Sequence, residues 1–195
     1  MKRVVIVHGF KSKPDTNWKP WLKEELRAKG FTVEVPAMPN TAHPVASEWN
    51  EKLTGTVGNP NEDTYLVGHS LGSITVLRYL ESLKGDQRVG GAILLAGFGE
   101  RFQKYNEGSH DSFFDHDLNW QDIREHCGQF TAIHDEDDQN VEIGQLEVFR
   151  RKLGAKVITT KGKGHYGSPD GVYEVPIVRD ELVKMAAEKQ DLHYI

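Results

Sequence analysis

The chain has a single cysteine, no strongly basic block and no long apolar run, and each shortage excludes a class of protein. Because Cys127 stands alone, no internal disulfide can form, which agrees with a reducing compartment. The 24 Lys and Arg against 29 Asp and Glu give a net charge of −5. Nucleic acids and anionic membranes bind clustered Lys and Arg, so neither is expected to be the main partner.

The apolar segments are also too short for a membrane span or an export signal. The strongest run, Ala92–Ala96 with its flanking glycines, is far below the ~20 residues that cross a bilayer. Near the start, Val4–Val7 is shorter than the apolar core of about 7–15 residues in a secretory signal. We therefore expect a cytoplasmic protein with no membrane span. Its 195 residues fit one domain, residues 1–195.

Short apolar segments alternate with helical patterns along the whole chain. A helix is predicted from about Asn17 to Lys29, another from about Leu71 to Leu83, and Pro176 can open the last one. This alternation is typical of an α/β fold with a mostly parallel sheet covered by helices on both faces. The six predicted strands are Val4–Val7, Phe31–Val35, Thr64–Val67, Ala92–Ala96, Phe130–Ile133 and Lys156–Thr160.

One stretch, residues 97–128, is longer than the usual connection of about 2–6 residues and is rich in aromatic side chains. We expect an insertion or small lid here, without a large separate cap domain. Ligands of open α/β sheets bind beyond the carboxyl ends of the strands. Phe98 and Trp120, the first and the last aromatic residues of this stretch, are therefore the predicted substrate-binding residues.

A G-x-S-x-G motif, Gly68-His69-Ser70-Leu71-Gly72, lies between a predicted strand and a predicted helix. This is the context of a nucleophile elbow, in which small residues let the strand and helix approach beneath an exposed serine. The alternative is that Ser70 is only a helix N-cap behind a glycine turn. The placement favours Ser70 as a nucleophile.

A serine hydroxyl is a weak nucleophile at neutral pH and needs a base. Among nine histidines, His165 alone combines a position after the last strand with an order downstream of Ser70 and of an acidic turn. His8 and His69 are expected to have structural roles beside the site. We therefore predict His165 as the base, against the alternative of a surface-loop histidine.

The third member of such a site is a carboxylate that orients the histidine, and it follows the preceding strand in this fold. The turn after Phe130–Ile133 offers four carboxylates: Asp135, Glu136, Asp137 and Asp138. A calcium loop is a poor reading of this turn, because Asn140 replaces the required glycine.

Two backbone amides are expected to stabilise an oxyanion. Leu71 follows the nucleophile and supplies one of them. The other should come from the loop after the first strand, from Phe10 or alternatively from Lys11. Four lysines on two loops of this edge could favour an anionic substrate or could simply be solvated: Lys11, Lys13, Lys161 and Lys163.

These residues together resemble the small α/β-hydrolases of the retinoblastoma-binding-protein and YdeN-like serine hydrolase family. The match spans nearly the whole chain. The segments that carry it are Val4-Val5-Ile6-Val7-His8-Gly9-Phe10, Gly68-His69-Ser70-Leu71-Gly72-Ser73, Asn119-Trp120 before Ile123, Asp137-Asp138 and Gly164-His165-Tyr166.

The resemblance implies a three-layer α/β-hydrolase fold with strand order 2-1-3-4-5-6. It also implies a Ser70, Asp138 and His165 triad, with Asp137 as the alternative acid, and esterase activity without a cofactor or metal. The L-x-C-x-E motif that binds pocket proteins is absent around Cys127, so that binding role is not transferred.

The leading hypothesis is therefore a serine carboxylesterase acting on small-molecule acyl esters. Thioesterase, lipase or peptidase activity with the same three residues remains an alternative, because a triad does not specify the leaving group. A protein-binding member of the fold that has lost turnover is the alternative from another functional class.

Overall fold

The computed structural model describes residues 1–102, 108 and 110–191, in which six strands alternate with six α-helices. Within this part of the chain, no helix combines the length and hydrophobicity needed to cross a membrane. The strands are β1 (Arg3–Val7), β2 (Thr32–Glu34), β3 (Thr64–His69), β4 (Gly91–Leu95), β5 (Phe130–Asp135) and β6 (Lys156–Thr160). The helices are α1 (Lys19–Ala28), α2 (Ala46–Val57), α3 (Leu71–Ser82), α4 (Trp120–Glu125), α5 (Gln145–Leu153) and α6 (Pro176–Asp191).

The strands form one parallel sheet in the order β2-β1-β3-β4-β5-β6, which confirms the sequence expectation. β1, β3 and β4 are almost wholly buried because helices cover both faces. β2 buries only Val33, as expected for an alternating edge strand. The parallel arrangement brings the carboxyl ends of all six strands to one edge of the molecule.

Two apolar clusters fill the space between the sheet and its helices. Val5 and Val7 of β1 pack on one face, in the cluster that includes residues of α2 and α3. Val4 and Ile6 point the other way and join residues of α1 and α6. Successive residues of a strand face opposite sides of a sheet, so β1 is buried on both of its faces. The fold therefore has three layers, with the sheet between two layers of helices.

The described part of residues 97–128 contributes to the core on the α3 side. Phe98 and Phe113 are completely buried there, the latter in a short 3₁₀-helix, Asp111–Phe114. The guanidinium of Arg78 donates hydrogen bonds to the Phe113 carbonyl at 2.8 Å and ties this segment to α3. These side chains are therefore part of the packed core. Residues 103–107 and 109, including Tyr105 of the aromatic run, lie outside the described residues.

Candidate active site

Ser70 occupies a sharp turn between β3 and α3. Its φ of 55° and ψ of −121° are unusual for a residue with a side chain, and such conformations concentrate at functional sites. The Ser70 amide donates to the carbonyl of Leu95 in β4 at 3.0 Å, which holds the turn against the sheet. The strand-turn-helix context that the motif predicts is therefore present.

Two glycines of the motif make this turn possible. A Cβ on Gly68 would lie 2.5 Å from the Cα of Ser73, and one on Gly72 would lie 2.2 Å from the carbonyl oxygen of Val7. Both distances are below any tolerable contact, and both neighbours are backbone atoms that cannot move aside. Only glycine lets β3, α3 and β1 approach this closely.

Ser70, His165 and Asp138 form a continuous hydrogen-bonded chain. His165 Nε2 lies 2.8 Å from Ser70 Oγ, and His165 Nδ1 lies 2.8 Å from Asp138 Oδ2. Asp137 instead accepts a hydrogen bond from the amide of Gly162 at 3.0 Å. The loops after β3, β5 and β6 thus bring together three of the residues singled out in the sequence, and place Asp138 rather than Asp137 against the imidazole.

The Asp138 carboxylate is surrounded by hydrogen-bond donors. Its Oδ1 accepts from the amides of Asn140 at 2.8 Å and Val141 at 3.1 Å, and its side chain is only 1% exposed. Burial by itself raises the pKa of Asp138, but hydrogen bonds from His134 and His165 outweigh burial and hold that pKa well below its usual range. The carboxylate is therefore ionised at neutral pH.

His134 is a residue of this site that reasoning from the sequence missed. Its Nε2 lies 3.1 Å from Asp138 Oδ2 and 3.0 Å from the carbonyl of Val141. Both neighbours are acceptors, so Nε2 carries the proton and donates. Its position at the end of β5, four residues before Asp138, was the available signal.

Further carboxylates hold the loop of His165 through its backbone. Asp135 Oδ1 accepts from the Gly164 amide at 3.1 Å, and Asp170 Oδ2 accepts from the amides of His165 at 3.1 Å and Gly167 at 2.8 Å. Asp135 is completely buried. Two carboxylates that never touch the imidazole thus position it.

The loop after β1 passes directly beside the serine. A Cβ on Gly9 would lie 3.0 Å from Ser70 Cβ and 3.2 Å from the His69 carbonyl oxygen, tight contacts that glycine avoids. The Lys11 amide donates to the Thr41 carbonyl at 3.0 Å, whereas the Phe10 amide meets no acceptor among the described residues. Leu71 is the first residue of α3, where amides have no partner inside the helix. The geometry therefore favours the Phe10 amide over the Lys11 amide as the second oxyanion donor beside the Leu71 amide.

The two other histidines of this edge are structural neighbours, as the sequence suggested. Nε2 of His8 accepts from the Met38 amide at 3.2 Å, so its Nδ1 donates to the Gly9 carbonyl at 3.0 Å. Nε2 of His69 lies 2.8 Å from the carbonyl of His165 and donates to it. Burial and the neighbouring His165 lower the pKa of His69 to about 3, so His69 stays neutral and supports the His165 loop.

Ser70 and His165 open into a surface cavity of about 500 Å³, which Phe10 also lines. The two aromatic residues predicted to bind substrate are not part of it. Phe98 is completely buried against Phe102 and Phe114, and Trp120 lines a separate cavity. Their aromatic character reflects core packing rather than proximity to Ser70.

Comparison with known proteins agrees with this fold. The Bacillus subtilis (strain 168) protein YdeN is 33% identical over 187 residues, covering 93% of this chain and 94% of that protein. The crystal structure of the ydeN gene product superposes with a TM-score of 0.88 and 30% identity, covering 96% of this chain and all of that one. The rat (Rattus norvegicus) serine hydrolase RBBP9 is 23% identical and covers 85% of this chain and 86% of its own length.

More distant structures share the fold. Est1E from Butyrivibrio proteoclasticus superposes with a TM-score of 0.72 at 15% identity, covering 95% of this chain and 88% of that one. The family model for serine hydrolases matches residues 4–184, nearly the whole chain. The chain is therefore a member of the serine hydrolase family, with an α/β-hydrolase fold.

Proposed function

We propose that this serine hydrolase is a carboxylesterase that cleaves small acyl esters. One observation carries the proposal: His165 lies 2.8 Å from Ser70 Oγ on one side and 2.8 Å from Asp138 Oδ2 on the other. A nucleophile, a base and an orienting carboxylate in hydrogen-bond contact are the groups that acyl transfer requires.

The reaction proceeds in two halves. Ser70 Oγ attacks the ester carbonyl carbon while His165 Nε2 takes the hydroxyl proton, and the Phe10 and Leu71 amides stabilise the oxyanion. The intermediate collapses, the C–O bond to the alcohol breaks, and the alcohol leaves with the proton from His165. Water then attacks the acyl-enzyme, with His165 again taking and returning a proton, and releases the acid and free Ser70.

Asp138 remains ionised through both halves. Its low pKa means that it does not accept the imidazole proton, and instead it stabilises the imidazolium and fixes the tautomer with Nδ1 protonated. The size of the cavity supports a small substrate, since the space that Ser70 lines has a volume of about 500 Å³.

The proposal is tested by covalent labelling and turnover. A fluorophosphonate probe is expected to label the wild-type protein and the exposed-serine control Ser47→Ala, but not Ser70→Ala. Hydrolysis of 4-nitrophenyl acetate and butyrate should follow the same pattern, and matched thioesters and amides of the same acyl groups should be slower. Labelling that persists in Ser70→Ala, or a folded wild-type protein without labelling and turnover, would overturn the proposal.

A further inference from the structure

The cavity beside Ser70 is lined by two lysines and one carboxylate, an excess of one positive charge. Lys11 and Lys13 line it, and within the described residues neither ammonium has a carboxylate within 4 Å. The carboxylate of Asp170 also lines it, but two backbone amides of the His165 loop already bind that group. The mouth of the site therefore suits a negatively charged ligand.

A third lysine lies behind the cavity wall. Lys19 is completely buried, and its Nζ donates a hydrogen bond to Ser12 Oγ at 3.1 Å. Among the described residues no carboxylate lies within 4 Å of its ammonium, and Asp15 acts on it only from farther away. Burial lowers the pKa of Lys19 to about 8 and Asp15 opposes this only weakly, so the group is still charged at pH 7. The Trp18 ring lies 5.5 Å from this ammonium, but a buried charge without a counter-charge in contact still costs stability.

Ser12 connects this buried charge to the cavity that it lines. Because Ser12 Oγ accepts from the Lys19 ammonium, its own hydroxyl proton must point to another acceptor. Among the described residues its hydrogen-bond contact besides Lys19 is Thr16 Oγ1 at 3.5 Å, beyond the 2.5–3.0 Å range of a good O–H···O bond. The hydroxyl is thus available to a ligand oxygen in the cavity.

We infer that Ser12, Lys11 and Lys13 form a subsite for a carboxylate carried by the ester substrate, with Lys19 supplying positive charge from behind Ser12. This inference rests on the proposed esterase function and deepens it. The subsite fits two kinds of ester that keep a free carboxylate. They are monoesters of dicarboxylic acids and hydroxy acids that are acylated on the hydroxyl group. Lys161, by contrast, does not line the cavity and pairs with Glu136 at 3.9 Å.

Two matched ester pairs test the subsite from the acyl and the alcohol sides. The first pair is 4-nitrophenyl hemiadipate and its neutral methyl ester. The second is 4-acetoxybenzoate and its methyl ester, which place the carboxylate on the leaving group. At pH 7 and low salt, we expect kcat/KM to favour the anionic member of at least one pair by about tenfold, the effect of one charge-assisted hydrogen bond.

The ratio of the two kcat/KM values is the readout, so a general loss of activity does not imitate the result. Lys13→Gln and Ser12→Ala should bring the ratio close to one, and Lys161→Gln, which removes the same charge nearby, should leave it unchanged. Lys19→Met should also lower the ratio, and Ser12→Ala removes the same contact from its other partner.

Two failures remain distinguishable. If Ser70 is labelled and the neutral esters are hydrolysed, but neither pair shows an anionic preference, the subsite is overturned while the esterase proposal stands. A preference that survives both Lys13→Gln and Ser12→Ala also overturns the subsite. Loss of labelling and of all turnover in the wild-type protein rejects the esterase proposal itself.

Discussion

His134 Nε2 lies 3.1 Å from Asp138 Oδ2, the same carboxylate oxygen that His165 Nδ1 contacts at 2.8 Å. His134 belongs to the buried strand β5, and His165 belongs to the loop after β6. The Asp138 carboxylate therefore links the loop that carries the base to a strand of the core. In the proposed mechanism, His134 is a positioning residue, because it touches only the acid that orients the base.

Replacing His134 tests this role. His134→Leu removes a donor from a buried carboxylate, so we expect kcat on 4-nitrophenyl acetate to fall by about tenfold with little change in KM. His134→Gln keeps an N–H donor and should recover part of the loss. Equal impairment of the two variants, or a loss in KM alone, would contradict a role through hydrogen bonding.

The adjacent residues Asp137 and Asp138 provide a matched pair of variants. Asp138→Asn presents an amide to His165 Nδ1 and favours the wrong tautomer, so kcat should fall by orders of magnitude. Asp137→Asn retains an oxygen that can accept from the Gly162 amide, and its kcat should stay close to that of the wild type. Steady-state kinetics with circular dichroism as a folding control will decide, and a larger loss in Asp137→Asn would reverse the assignment.

Substitution by alanine is expected to have opposite effects on stability at Gly72 and at Gly55. Gly72→Ala places a Cβ 2.2 Å from the Val7 carbonyl oxygen and should lower the free energy of unfolding by more than about 3 kcal/mol, or prevent folding. Gly55 lies inside α2 with open space around its Cα, so Gly55→Ala should raise that free energy by about 0.5–1 kcal/mol. Urea unfolding measures both changes, and a tolerated Gly72→Ala would disprove the close approach.

The lowered pKa of Lys19 is expected to make the stability of the protein depend on pH. Burial lowers its pKa from 10.5 to about 8 on folding, so between these values the unfolded chain binds a proton that the folded chain has released. The contribution of Lys19 to the free energy of unfolding therefore rises with pH over that window. At pH 7 the buried charge is present, and Lys19→Met should raise the free energy of unfolding by about 1 to 3 kcal/mol.

The difference between wild type and Lys19→Met should shrink as the pH approaches 10, since the wild-type lysine then becomes neutral in the folded state. Comparing the two proteins at each pH cancels the titration of the groups they share. Lys161→Met, at an exposed position, is the control and should change stability little. A Lys19→Met variant less stable than the wild type at pH 7 would mean that the ammonium is well compensated.

Much of the fold could be predicted from local patterns. Apolar runs such as Val4–Val7 form the buried parallel strands, and residues that alternate around Val33 form the edge strand β2. Ser70 and His165 stood out because glycine-rich turns after strands are where this architecture places reactive side chains. These signals come from steric rules that act over a few residues.

Other choices depended on contacts between distant segments. Asp137 and Asp138 are neighbours of the same chemical type, and only the course of the turn directs one to His165 and the other to Gly162. Phe98 and Trp120 were predicted to bind substrate from aromatic content, which does not distinguish a pocket wall from a buried core.

The amino-acid sequence by itself determined the alternating strands and helices, the glycine-framed position of Ser70 and the set of groups available for acyl transfer. Only the tertiary structure decided that His165 and His134 meet on one carboxylate oxygen of Asp138, and that Lys19 lies buried behind Ser12. The physical reason is that hydrogen bonds and burial depend on distances between residues far apart in the chain, and packing of the helices on the sheet sets those distances.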